Sequence, residues 1–509
     1  MVNVSCWQIK QEFDFKEIAT QLGPGFSWIS GEQSNQDLTV LDDDDWDIWR
    51  AGLLLLCDEN NMLRLLRADD SCLAECPAVS DSRFWWQLPE GDLCGRLKTI
   101  IAVRAFMPKY ECLLSRRAIT ILNEDEKIIV RAELFEISAK AAQPQRFIKI
   151  LSLRGYEQEY ARLIEVLSEF RPTPVADAGL RGLLQHSGLD VSISPNKPNF
   201  RLQDHEPAEA AVTRMAAELL QLARHQEQGI LDDVDTEFVH QYRVNIRKTR
   251  SLISLFKKTL SAQRHQLLKI ELKAIAGQTN QLRDFDVFIL DHDYYRDLLP
   301  HHLWPGFDQL FRRIKRRRSA AYKKVVASLV SATYLERIGH LLLTLHQPPE
   351  LATKQSRMGV KELVSAKILT QYRRIASAGR LINAGTPDDA VHALRIETKK
   401  LRYLMELFSE LFPPDDMKRL IKHLKGLQDN LGRFNDFSVQ QEFLFHCGRL
   451  KTLSAAQLAS INGLAAVLYN KQLYERSLVV KNIATFLEQP VGNLFQKLFE
   501  PGPREGLKE

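Results

Sequence analysis

Apolar residues recur with two different periods along this chain. Up to about residue 137 they fall in short compact or alternating runs, at 53–57, 62–66, 118–122 and 128–134. The turn-forming clusters DENN (58–61) and NEDE (123–126) separate these runs, and this is the pattern of an antiparallel β domain. One helical pattern follows at 156–170. A proline-punctuated stretch, RPTP at 171–174 and SPNKP at 194–198, then reads as a connector over 171–204. Beyond it, apolar residues return at i, i+3, i+4 and i+7 in long segments. These predict helices over 208–225, 237–260, 266–290, 310–329, 366–381, 389–411, 416–431 and 458–475. The reading is therefore an α+β multidomain chain: a β domain over 1–170, and an all-α region over 205–500 too long for one four-helix bundle.

An internal repeat organises the helical region. The segment VHQYRVNIRKTRSLISLF (239–256) returns as VHALRIETKKLRYLMELF (391–408), a shift of 152 residues. The same shift carries Leu272 and Lys273 onto Leu424 and Lys425, and Asp284 and Phe285 onto Asp436 and Phe437. One register held over nearly fifty residues implies two copies of one helical unit. They are expected at about 205–345 and 355–498, as two pseudo-symmetric four-helix bundles. The second copy opens with Thr386 as expected N-cap, Pro387 in the first turn and acids after it.

Charge sharpens this division. The net charge of +5 conceals 22 basic against 30 acidic residues in 1–200, and 47 against 34 in 201–509. The helical half attracts polyanions and the other half repels them. His240, Arg243, Arg247 and Arg250 stand at i, i+3, i+7 and i+10, one stripe spanning ~15 Å of helix. His392, Arg395, Lys399 and Arg402 repeat it. Aligned cations repel one another unless an anion neutralises them. Arginine forks grip phosphate oxygens in pairs, and lysine contributes a point charge. A basic stripe on one helix is usually a solvated face, but packing does not require histidine at the head of both copies. Lys273, Lys425, Arg283 and Arg433 stand on the helices after each stripe. Asp284, Asp286 and Asp436 are expected to orient arginines. FRRIKRRRSAAYKK (311–324), YRR (372–374) and Arg380 add further charge.

The paired HxxR[V/I]xx[R/K]KxR helices, each followed by Leu-Lys and Asp-Phe, resemble the CHAD domain, the conserved-histidine α-helical domain. The resemblance covers about 205–500. It implies two four-helix bundles around a basic channel that binds inorganic polyphosphate, and association with polyphosphate granules in a bacterial cytoplasm. Carried over residue by residue, the polyphosphate-binding set is His240, Arg243, Arg247, Lys248, Arg250, Lys273 and Arg283. The second repeat supplies His392, Arg395, Lys399, Lys400, Arg402, Lys425 and Arg433.

The N-terminal half is similar in outline to the CYTH family, a β-barrel tunnel that binds triphosphate and divalent metal. VLDDDDWDIWRAG (40–52), RFWWQLP (83–89), Val103-Arg104 and RGYE (154–157) carry the likeness. That family opens with Glu-x-Glu-x-Lys, whereas this chain has Cys6, Gln8 and Lys10, and LLLLCD (53–58) stands where the family has arginines. Arg67, Lys109, Arg116, Arg117, Glu133 and Glu136 are left to line a residual tunnel. The expectation is a degenerate antiparallel β-barrel with no metal, no cofactor and no catalytic residue, on a non-catalytic polyphosphate binder. The alternatives are a metal-dependent triphosphate hydrolase with an accessory helical domain, and a nucleic-acid-binding protein. No specific nucleic acid is expected, because the stripes lack interleaved aromatic residues. No run approaches the ~20 apolar residues of a membrane span. The opening residues do not read as a secretory leader, and seven scattered cysteines suit free thiols in a reducing cytoplasm.

Overall fold

The computed structural model describes residues 4–10, 18, 21–23, 25–139, 143–191, 198, 200–383, 385–449 and 453–500. It divides into two compact units, Met1–Lys197 and Pro198–Glu509. Ser194–Lys197 of the expected connector lie outside the described residues.

The first unit is one nine-stranded antiparallel sheet. Its strands are β1 (Val4–Ile9), β2 (Ser27–Asp42), β3 (Leu54–Asp58), β4 (Met62–Leu66) and β5 (Cys72–Pro77), then β6 (Met107–Leu122), β7 (Ile128–Ala139), β8 (Gln145–Ser152) and β9 (Thr173–Pro174). The order is β5-β4-β3-β2-β6-β7-β8-β1-β9, so among the described residues the edges β5 and β9 do not pair and the barrel is not closed. Alternation sends one set of side chains to each face. Cys6, Val40, Leu56, Leu114 and Phe147 join one apolar cluster. Ile119, Ile121, Val130 and Ile150 join another beneath a helix, α2 (Glu157–Glu169). An earlier helix, α1 (Asp92–Ile101), buries Leu93, Leu97 and Ile101 against a third.

Two features differ from the sequence reading. The expected connector supplies β9 and a helix, α3 (Leu180–His186), whose Leu183 and Leu184 are buried in the first cluster, so the N-terminal unit runs well past 170. β2 and β6 are each 16 residues long. The middle of β2, from Ser30 to Asp37, is polar and exposed, so no apolar period announces it.

The helical unit comprises α4 (Ala208–His225), α5 (Thr236–Leu255), α6 (Ala262–Gln278), α7 (Asn280–Leu290), α8 (Trp304–Leu329) and α9 (Ala332–His346). A second series follows: α10 (Val360–Gly379), α11 (Asp388–Leu407), α12 (Pro414–Gly448), α13 (Ala455–Phe486) and α14 (Gln489–Phe499). The 152-residue shift also sets where helices begin. Adding 152 to the first residues of α4, α5 and α6 gives 360, 388 and 414, the first residues of α10, α11 and α12. Where the first copy breaks at Thr279 between α6 and α7, the second runs on through Leu431 in α12.

Equivalent residues meet each other, as a pseudo-two-fold axis requires. Ala208 N donates to Met358 O and Val360 N donates to Glu206 O, each at 2.9 Å, and 206 and 208 map onto 358 and 360. Phe256 and its equivalent Phe408, both fully buried, stand with ring centroids 5.3 Å apart. The two bundles thus share one core.

Candidate anion-binding site

The two stripe helices are anchored by buried faces. Helix α5 is capped by Asp235, whose carboxylate accepts from Glu237 N (2.8 Å) and Phe238 N (3.3 Å). Its Tyr242, Ile246, Leu252 and Ile253 are buried, which leaves Arg243, Arg247 and Lys248 half-buried and Arg250 exposed. Helix α11 buries Val391, Leu394, Leu401 and Leu404 in the same way. Its N-cap is Pro387, one residue after the expected Thr386. The Thr386 hydroxyl instead accepts from Asn383 N at 2.8 Å, within its own turn.

Cations of both repeats converge near the pseudo-two-fold axis. Arg247 and Lys399 are equivalents under the shift, and the Arg247 charge bears on Arg243, Arg283, Arg395 and Lys399 alike. Burial comes first among the causes that hold all four below their ordinary ranges, and neighbouring cations add to it. Arg243 falls to about 10, and Lys399, beside Arg395 and Arg247, falls to about 8. Arg243 donates to neutral oxygens, Thr279 Oγ1 (3.0 Å) and Asn280 Oδ1 (2.7 Å). Asp436 stands 4.0 Å from Arg395. Arg283 Nη1 and Arg395 Nε are buried N–H groups without a hydrogen-bond partner. Crowded, partly desolvated cations with unused donors form a site that favours an anion bearing several oxygens.

One groove leads from Arg247 of this cluster, and a second adjoins the first. The first, of about 460 Å³, is lined by Arg247, Arg250, Lys257, His265, Lys269, Lys273 and Lys400 among its residues. The other, of about 490 Å³, shares Ser254, Leu255, Lys257 and Lys400 with the first and adds Lys258, Lys367 and Arg374. Neither is lined by a carboxylate or by a Phe, Tyr or Trp ring.

The remaining expected residues are disposed differently. Arg433 is bound to Glu475 at 2.7 Å, a bond that raises its pKa, and Arg402 to Glu406 at 2.5 Å. Lys400 meets Glu397 at 2.5 Å while still lining both grooves. His240 is half-buried, and His392 and Lys425 are exposed on their helices. Asp286 accepts from Arg318 Nε at 2.9 Å, so Arg318 of the 311–324 run has a structural task. Lys257, Lys258, His265, Lys269 and Lys367 were missed, because they do not recur at the 152-residue shift.

The N-terminal sheet carries a groove of about 340 Å³ whose cations are already matched. Arg64 pairs with Asp58 (2.7 Å), Arg116 with Glu133 (2.6 Å) and Lys149 with Asp70 (3.8 Å). Elsewhere Arg146 holds Glu136 (2.6 Å), Lys109 stands 4.0 Å from Asp44, and Arg117 donates to Gln33 (2.6 Å). At the positions of the family's carboxylates, Cys6 packs into the apolar cluster with its thiol pushed up to about 11 by burial. Gln8 donates to Gln145 Oε1 at 2.8 Å. A thiol in an apolar core and an amide bound to another amide do not fit a hard divalent cation. Among the described residues, no group of three or more His, Cys, Asp or Glu is arranged to hold a metal ion.

Comparison with known proteins matches residues 213–444 to the family model of the CHAD domain. The search of curated proteins returned no match. Among solved structures, the CHAD domain from the plant Ricinus communis is similar at 18% identity and a TM-score of 0.49, over 57% of this chain and 96% of that one. PptA from Streptomyces chartreusis is similar at 13% identity and a TM-score of 0.43, over 54% and 99%. Among the described residues no helix is long and apolar enough to cross a membrane.

Proposed function

From the premise that this chain carries a CHAD domain, we propose that it is a non-catalytic binder of inorganic polyphosphate that associates with polyphosphate granules. One observation carries the reading: Arg243, Arg247, Arg283, Arg395 and Lys399, drawn from both repeats, crowd one locus that opens at Arg247 into two adjoining grooves not lined by carboxylates. A flexible chain with a charge on every unit can follow such a track. A nucleic acid would bring bases, and the grooves offer no Phe, Tyr or Trp ring to stack on them.

The N-terminal sheet, related in outline to the CYTH family, acts in this reading as a degenerate, non-catalytic module. Its ion-paired cations and the Cys6 and Gln8 substitutions support that role.

A salt titration of binding to long-chain polyphosphate, RNA and DNA tests the proposal. Polyphosphate should bind tightest, and its affinity should fall as salt rises. Neutralising Arg243, Arg247, Arg395 and Lys399 together should abolish binding while leaving the helical circular dichroism intact. RNA binding as tight as polyphosphate, or normal binding by the quadruple variant, refutes it. Phosphate release from tripolyphosphate with Mg²⁺ or Mn²⁺ would instead establish the hydrolase.

A further inference from the structure

The duplicated scaffold has two pseudo-equivalent mouths, and they differ in charge. Around the first, Ser254, Lys257, Lys258, Lys367 and Arg374 surround an open groove. Subtracting or adding 152 gives their counterparts around the second: Glu406, Ser409, Glu410, Met215 and Leu222. Four cations are thus replaced by a serine, an acid and two apolar residues, and a second acid replaces Ser254.

The substitutions act together. Glu406 binds Arg402 at 2.5 Å and its charge also bears on Lys248; at the first mouth Glu397 holds Lys400 at 2.5 Å, so the difference between the mouths lies in Lys257, Lys258, Lys367 and Arg374. Met215 is fully buried in α4 and Leu222 is half-buried, whereas Lys367 on α10 reaches the groove. Lys367 Nζ donates to Leu255 O at 2.7 Å and stands 4.9 Å from the centre of the Phe256 ring. Its neighbouring charges are Lys257, Lys258 and Arg374, all cations. Arg214, opposite Ala366 at the second mouth, is held by Glu206 at 2.6 Å.

We propose that the anion track is one-sided: a phosphate chain bound at the axis continues past Lys257 and Lys258 to Lys367 and Arg374, and does not continue through the second mouth. This rests on the polyphosphate reading and adds a direction to it. Short chains need only the axial cluster. Long chains gain affinity from one extended arm.

Binding of tripolyphosphate and of long-chain polyphosphate to the full chain distinguishes these parts. The Lys258→Gln/Lys367→Gln/Arg374→Gln variant should bind long chains about tenfold more weakly and tripolyphosphate as the parent does. Lys258→Gln/Arg374→Gln, confined to exposed side chains, should move the same way to a smaller extent if Lys367 proves necessary for folding. Arg316→Gln/Lys323→Gln/Lys324→Gln removes equal charge from α8 and should leave both affinities unchanged. Long-chain affinity untouched by the groove variants, an equal loss for both ligands, or an equal effect of the α8 variant overturns the one-sided track. A parent that binds neither ligand overturns the polyphosphate reading itself.

Discussion

Lys399 makes the binding reaction a proton-uptake reaction. Its ammonium is held at about 8 by burial and by Arg395 and Arg247, with Arg402 adding to the repulsion and Asp436 opposing it. A bound polyanion reverses the sign of that field and restores a pKa nearer the ordinary 10.5. At pH 8 about half a proton is therefore taken up at Lys399 for each site filled. Above pH 8 affinity falls about tenfold per pH unit until the bound-state pKa is reached. A long chain does not supply this slope, because each interior phosphate carries one strongly acidic oxygen and stays ionised across this range. In the free domain the sign is opposite. A folded pKa below the unfolded one makes the charged form oppose folding below pH 8, and that opposition fades as pH rises from 8 toward 10.5. Free-domain stability should thus rise over the interval in which affinity falls. Titration calorimetry near pH 8 in two buffers of different ionisation enthalpy reads the proton directly. Lys399→Arg, charged at every pH used, should bind with a flatter pH profile, and the slope left for long chains belongs to Lys367, which burial and neighbouring cations also hold at about 8. An affinity constant from about pH 7.5 to 9.5, or the same profile in Lys399→Arg, would refute this account.

Other expectations concern the scaffold. Arg264 and Glu209 form a buried pair at 3.0 Å, and Arg264 also donates to Thr344 O and Gln347 O. Arg264→Ala should cost about 3–5 kcal/mol in urea unfolding, by stranding Glu209. Phe256→Ala or Phe408→Ala should each cost about 3–5 kcal/mol and loosen the two repeats together, as read by thermal melting. At Gly306 an added methyl would meet the Ala456 carbonyl where α8 crosses α13. Gly306→Ala should destabilise by about 1–3 kcal/mol despite its better helix propensity.

Long apolar periods were legible. The predicted 208–225 helix coincides with α4, and the repeat read from fifty residues also places the starts of α10, α11 and α12. Sequence reasoning failed where no period exists to read. The middle of β2, from Ser30 to Asp37, carries no apolar side chain, and the connector hides a helix of only seven residues whose Leu183 and Leu184 are fixed by the sheet. Four members of the axial cluster were legible because duplication pairs Arg243 with Arg395 and Arg247 with Lys399, whereas Arg283 has Asn435 as its counterpart. The groove was not, since Lys367 and Arg374 come from a helix one repeat away from Lys257 and Lys258, and their counterparts are Met215 and Leu222. Nor can spacing say which cations are already engaged, as Arg433 is with Glu475.

The Phe256–Phe408 contact has a consequence for biosynthesis. During translation, Phe256 emerges 152 residues ahead of the ring that covers it. At ribosomal rates of about 5–20 residues per second, the first bundle waits roughly 8–30 s with that face bare. During that interval it is a natural client for a nascent-chain chaperone. In polysomes it can also pair with the corresponding face of a neighbouring nascent chain.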